Sequence, residues 1–150
     1  MNVLIFGSTA LDSIITPRKK KTRLLGGSGS HAAMAASFYA QPRLLGVVGD
    51  DFPQKYLNLF KRHGINLDAL EIRRGRTFHW VGEYEKNMNN RQTLSTELGV
   101  IDGYTPLLPP ACRQPRFVLL ANNPPAAQAA VAEQLERPEF VVADTMDLWM

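Results

Sequence analysis

The sequence predicts an α/β domain with a largely parallel sheet and a β-hairpin flap inserted between its two ends. Three observations support this. Short apolar runs bounded by glycine, asparagine or aspartate occur at Asn2–Phe6, 44–48, Phe117–Leu120 and Phe140–Ala143, as buried strands do. Helical patterns at 32–40, 52–63 and 124–135 alternate with those runs. Between them, 77–84 and 91–98 contain alternating stretches joined by the polar turn Lys86-Asn87-Met88-Asn89-Asn90, a hairpin signature.

Taken in order, Asn2–Phe6 opens the sheet, and Gly7-Ser8-Thr9-Ala10-Leu11-Asp12 then aims a carboxylate out of its end. Arg18, Lys19, Lys20, Lys21 and Arg23 follow; without interleaved aromatics for base stacking, this basic run reads as a solvated loop between structured segments. Gly26-Gly27-Ser28-Gly29-Ser30-His31 opens an alanine-rich helix whose small side chains permit close packing on a sheet. The strand at 44–48 closes with Gly49-Asp50-Asp51. The helix at 52–63 places Phe52, Tyr56, Leu59 and Phe60 on one face and ends at Gly64. Asp51 reads as a cap for that helix. A proline-rich connection at 106–115 leads to the last two strands, and prolines begin the helix between them.

Size and composition narrow the class. A chain of 150 residues, 45% hydrophobic and 21% charged, is an ordinary globular protein with one core. No apolar run approaches the roughly 20 residues that span a bilayer, and the start lacks a signal-peptide pattern, so a cytoplasmic location without membrane contact is expected. The single cysteine, Cys112, excludes an internal disulfide and a cysteine-built metal site. The net charge of +3 is modest, and a nucleic-acid role through the basic run is disfavoured.

Several catalytic readings fail on spacing. Gly27-Ser28-Gly29-Ser30-His31-Ala32 formally fits a loose dinucleotide fingerprint, but no apolar strand leads directly into it. Ser28 is not in a G-x-S-x-G elbow, and His31, His63 and His79 lack metal-ligand spacing. Asp12, Asp50, Asp51 and Asp144 fall at apparent strand ends, where α/β proteins bind ligands. No helix follows Asp12 for it to cap, which favours a ligand role there. Paired with the side-chain-free backbone at Gly26-Gly27, it suggests a grip for a small polyhydroxylated ligand.

The order of these motifs resembles the N-terminal half of the PfkB, or ribokinase-like, family of sugar and nucleoside kinases. Gly7, Ser8 and Asp12 match its G-S-x-x-x-D pattern, and Gly26, Gly27 and Gly29 its G-G-x-G/A-x-N helix start. Val48, Gly49 and Asp51 match its V-G-x-D turn, and His63-Gly64-Ile65 its helix break. Asp144-Thr145-Met146 and Leu120-Ala121-Asn122-Asn123-Pro124 resemble a branch of sugar kinases of uncertain substrate.

The resemblance implies a three-layer α/β/α fold with a mostly parallel central sheet and a small β lid at about 11–16, 77–85 and 91–98, as the N-terminal part of one domain. It implies that Asp12 accepts hydrogen bonds from substrate hydroxyls, that Gly26 and Gly27 lie against the sugar, and that His31 and Asn122 are further contacts. It also implies ATP and Mg²⁺ in the full reaction, and a homodimer formed through the lid strands. The chain departs from the family in Ser28 and His31, where lysine and asparagine are common, and in Pro53, where glycine is frequent. The family's G-A-G-D signature, with its catalytic aspartate and ATP segment, does not occur, so no catalytic residue is expected within this chain. The expectation is the substrate-binding half of an ATP-dependent kinase, truncated on the C-terminal side, with a last strand left as an apolar edge; the alternative is a polyol-binding or interaction protein without turnover.

Overall fold

The apolar runs assemble into a five-stranded parallel sheet in a computed structural model that describes residues 2–146. Its strands are β1 (Asn2–Phe6), β4 (Gln41–Gly49), β5 (Leu70–Arg73), β8 (Phe117–Leu120) and β9 (Phe140–Ala143), in the order β5-β4-β1-β8-β9. All four pairings are parallel. The central strands are near-continuous hydrophobic runs because both faces of the sheet are covered. On one face Ile5, Leu44 and Val48 pack with Ala33 of helix α1 (Ser28–Ala36) and with Leu57 and Phe60 of α2 (Gln54–Arg62). On the other, Leu4, Phe6, Leu45 and Val118 meet Ala127 and Val131 of α3 (Pro125–Ala132) and the buried Tyr104 and Leu108. The result is three α/β/α layers.

A second, four-stranded sheet stands apart, in the order β3-β2-β6-β7: β2 (Ala10–Ile15), β3 (Lys20–Gly26), β6 (His79–Tyr84) and β7 (Arg91–Glu97). The β6–β7 hairpin turns through 85–90, where Asn87 Oδ1 accepts the Asn89 N–H at 3.0 Å and Met88 takes φ 60°.

Three sequence expectations are corrected here. The basic segment is not all loop: Lys20 to Gly26 pairs antiparallel with β2, its cations exposed while Leu24, Leu25 and Gly26 turn inward. Asp12 does not stand at the tip of β1; it lies within β2, close to the lid strand the resemblance implies at about 11–16. Asp51 does not cap α2, whose N-cap position is Pro53; Leu57 rather than Leu59 joins Phe60 as that helix's buried pair. Strand β5 was not anticipated, because Leu-Glu-Ile-Arg is a short edge strand whose charges mask any apolar run. Strand β9 forms the other edge, with Phe140, Val141 and Val142 exposed.

Asp51 instead joins the two sheets. Its Oδ1 accepts from Thr77 N–H at 2.8 Å and Thr77 Oγ1 at 2.7 Å, just ahead of β6. Its Oδ2 lies 3.2 Å from Arg23 Nη2 of β3. Buried Thr77 Oγ1 also accepts the Gly49 N–H at 3.0 Å, so one hydroxyl holds the end of β4 to the root of the smaller sheet. Burial pushes the Asp51 carboxyl up, but the hydrogen bonds from Thr77 and the Arg23 guanidinium outweigh it and hold the group below the ordinary value.

Thr77→Val keeps the shape but leaves the Gly49 N–H unpaired, which should cost about 1–3 kcal/mol in denaturant unfolding. Because the folded-state pKa of Asp51 is depressed, its contribution is complete above the unfolded value of 3.8 and fades as pH falls through the lower folded value. Asp51→Asn should flatten stability against pH in that acid window; an unchanged acid limb would contradict the assignment.

Candidate functional site

Where α1 meets the ends of β1 and β2 there is no room for side chains. A Cβ on Gly29 would stand 2.7 Å from the Gly7 carbonyl oxygen, and one on Gly27 (φ 93°) 2.2 Å from that of Ser8. The close approach lets the Gly29 N–H donate to the Ser8 carbonyl at 2.9 Å and the Ser28 N–H to Ser8 Oγ at 3.1 Å. Ser28 Oγ in turn donates to the Asn122 carbonyl at 3.2 Å, tying in the turn between β8 and α3. Three connections thus converge beyond the carboxyl ends of the parallel strands, the usual ligand position in α/β sheets.

Asp12 reaches this place from β2. A Cβ at Gly26 would lie 2.0 Å from Asp12 Oδ2, so the carboxylate occupies the space that a side chain on β3 would take. Burial pushes the Asp12 carboxyl above its ordinary value, while the charges of His31 and His79 pull it back in part. His79 sits on the opposite face of the smaller sheet, its Nε2 2.9 Å from Ser13 Oγ.

Between the two sheets lies a cavity of about 510 Å³. Ser8, Gly27, Ser28, His31 and Asn122 line it from the side of the larger sheet and α1. The smaller sheet lines it with Asp12, Trp80, Tyr84, Arg91, Thr93 and Thr96. Of the residues singled out from the sequence, Asp12, Gly27, His31 and Asn122 meet at this cavity, and Gly26 supports Asp12 from behind. Asp50, Asp51 and Asp144 do not line it. The aromatic roof was missed, although the alternation Trp80, Gly82, Tyr84 carried the signal: three positions on one strand face with a bare one in the middle. Among the described residues no group of three His, Cys, Asp or Glu is placed to hold a metal ion. No helix among them is long and apolar enough to cross a membrane.

The architecture defines the class of fold as ribokinase-like. Ribokinase from Cryptococcus neoformans var. grubii, in complex with ADP, superposes with a TM-score of 0.79 at 20% identity, covering 99% of this chain and 51% of that one. A nucleoside kinase from Burkholderia thailandensis in complex with inosine gives 0.73 at 17% identity over 95% and 52%. Ribokinase from Arabidopsis thaliana with ribose and ATP gives 0.73 at 19% identity over 97% and 54%. The chain therefore spans about half the length of the kinases whose fold it shares. No family model matches the sequence, and no curated protein matches it.

The raised pKa of Asp12 means that its charge opposes folding at neutral pH. Asp12→Asn should leave the thermal midpoint at pH 7 equal to or above that of the parent chain, with the difference vanishing below 3.8, where the carboxyl is protonated folded or unfolded. A lower midpoint at pH 7 would show that Asp12 is there for stability.

Proposed function

We propose that this chain is the acceptor-binding half of an ATP-dependent kinase for a sugar or nucleoside hydroxyl. The observation that carries the reading is Asp12: a half-buried carboxylate, seated on side-chain-free backbone, that faces a cavity large enough for a pentose or nucleoside. A carboxylate there accepts hydrogen bonds from two neighbouring hydroxyls, and charge-assisted bonds in a partly desolvated site are stronger than neutral ones. Ser8 and Ser28 do not compete for the ligand, because they are engaged with each other and with the backbone. His31 and Asn122 flank Asp12 and add polar contacts at the ring edge. Trp80 and Tyr84 of the smaller sheet cover one side of the cavity, and phosphoryl transfer to an alcohol requires that water be kept from the reacting hydroxyl.

The complexes of similar fold containing ADP, ATP, ribose and inosine support the substrate classes. Among the described residues no group of three His, Cys, Asp or Glu is placed to hold a metal ion, and these residues give Mg²⁺ and ATP no step. Residues 1–150 contain no Gly-Ala-Gly-Asp sequence to supply a catalytic aspartate beside a backbone anion hole. Holding and orienting the acceptor is the part of the reaction these residues can perform.

Titration calorimetry with ribose and inosine tests the reading. At least one should bind, and Asp12→Ala should weaken it at least tenfold, the loss expected when a charge-assisted bond is removed. His31→Ala should have a smaller effect, because that side chain is exposed at the rim. Equal affinity for the parent chain and Asp12→Ala would refute the assignment.

A further inference from the structure

The roof of the cavity is built around one indole. Trp80 lies on β6 opposite Asp12 of β2 and Thr96 of β7, so the three side chains stand in one row on one face of the smaller sheet. A Cβ on Gly82 would fall 1.9 Å from Cη2 of the indole and 2.3 Å from Cζ2, so the ring lies flat over the bare glycine two residues along. Its Nε1–H donates to Thr93 Oγ1 at 3.1 Å, and Thr93 is the partner of Gly82 across the β6–β7 ladder. The Arg91 guanidinium stands 5.7 Å from the ring centre and borders the same cavity. Glycine beneath, threonine at the edge and arginine beside it hold the indole at a set position bordering the cavity.

A fixed, half-buried indole is costly to leave facing water, and its flat face is the surface on which a planar ring stacks. Because Asp12 occupies the neighbouring strand in register, a ligand whose hydroxyls bind Asp12 carries its next group under Trp80. A free pentose would leave much of that space empty. Arg91 and Thr96 add polar groups beside the platform that suit a ring bearing carbonyl or ring-nitrogen atoms on its edge.

We propose that Trp80 is a specificity-determining stacking residue and that the natural ligand is a polyol joined to a planar heteroaromatic ring, a nucleoside in chemical class, rather than a free sugar. This rests on the reading of Asp12 as the hydroxyl acceptor. Asp12 holds the part common to both ligand classes, and Trp80 distinguishes between them.

The test is calorimetric titration of ribose and inosine into the parent chain and into Trp80→Leu, Gly82→Ala, Thr93→Val and Asp12→Asn. Inosine should bind the parent chain at least tenfold more tightly than ribose, within the range measured for stacking one base on an aromatic side chain. Trp80→Leu should lower inosine affinity about tenfold and change ribose affinity less than about twofold. Gly82→Ala, which leaves Trp80 in place but pushes its ring off the sheet, should show the same selective loss, so the outcome does not hang on one variant. Thr93→Val should show a weaker form of it. Asp12→Asn should weaken both ligands together. Equal losses for ribose and inosine at Trp80→Leu and Gly82→Ala, with Asp12→Asn still weakening both, would overturn the stacking role and leave the polyol site standing. Binding insensitive to Asp12→Asn, or absent for both ligands, would overturn the site and the stacking role with it.

Discussion

The contact between the Asp12 carboxylate and the bare Cα of Gly26 is the constraint around which the rest is arranged. Gly26 lies diagonally across from Asp12 on β3, and any Cβ at position 26 would stand 2.0 Å from Oδ2. The same requirement continues through Gly27 and Gly29, where the chain passes over the Ser8 and Gly7 carbonyls on its way into α1. Removing side chains here does two things at once. It brings the first turn of a helix against the end of the central sheet, and it leaves room for a ligand beside a partly desolvated charge. Partial burial raises the Asp12 carboxyl above its ordinary value, so its charge costs stability at neutral pH.

A site made by two sheets needs them held together, and the fold does this away from the cavity. Asp51 reaches Thr77 at the root of β6 and Arg23 on β3, so both halves of the smaller sheet are fastened to the end of β4 by one carboxylate. Tyr56 of α2 adds a hydrogen bond from its hydroxyl to the Arg23 carbonyl at 2.9 Å, at a residue with φ 54°. Glycine recurs here too: a Cβ on Gly49 would lie 2.1 Å from the Gly75 carbonyl. These contacts hold the smaller sheet, which carries Asp12 and Trp80 on neighbouring strands, without using either side chain.

Much of this was legible in the residues. Strands β1, β8 and β9 are uninterrupted apolar runs between turn residues, and their boundaries follow from that pattern alone. The hairpin was equally plain from its polar turn. What escaped reading had long-range causes. Strand β3 looks like a basic loop because three of the four residues in its exposed half are cations, and only pairing with β2 makes it a strand. Asp51 carries the local signature of a helix cap, yet its partners are 26 and 28 residues away in the chain, at Thr77 and Arg23. Asp12 was singled out for the absence of a following helix and fell on the lid strand expected at about 11–16; its register opposite Trp80 depends on β6 arriving beside it. Trp80 was not singled out; its fixed position shows only when Gly82 and Thr93 are seen to hold it.

The account stands on a ligand lying against the face of the smaller sheet that carries Asp12 and Trp80. Nuclear magnetic resonance of the chain carrying ¹³C-labelled aspartate carboxyls and ¹⁵N-labelled indoles, titrated with inosine, observes both groups in one experiment. The account predicts saturable shifts of the Asp12 carboxyl and the Trp80 indole with a common midpoint, while the Asp50 and Asp68 carboxyls stay in place. Shifts confined to other residues, or an Asp12 signal that stays fixed while the ligand binds, would contradict it.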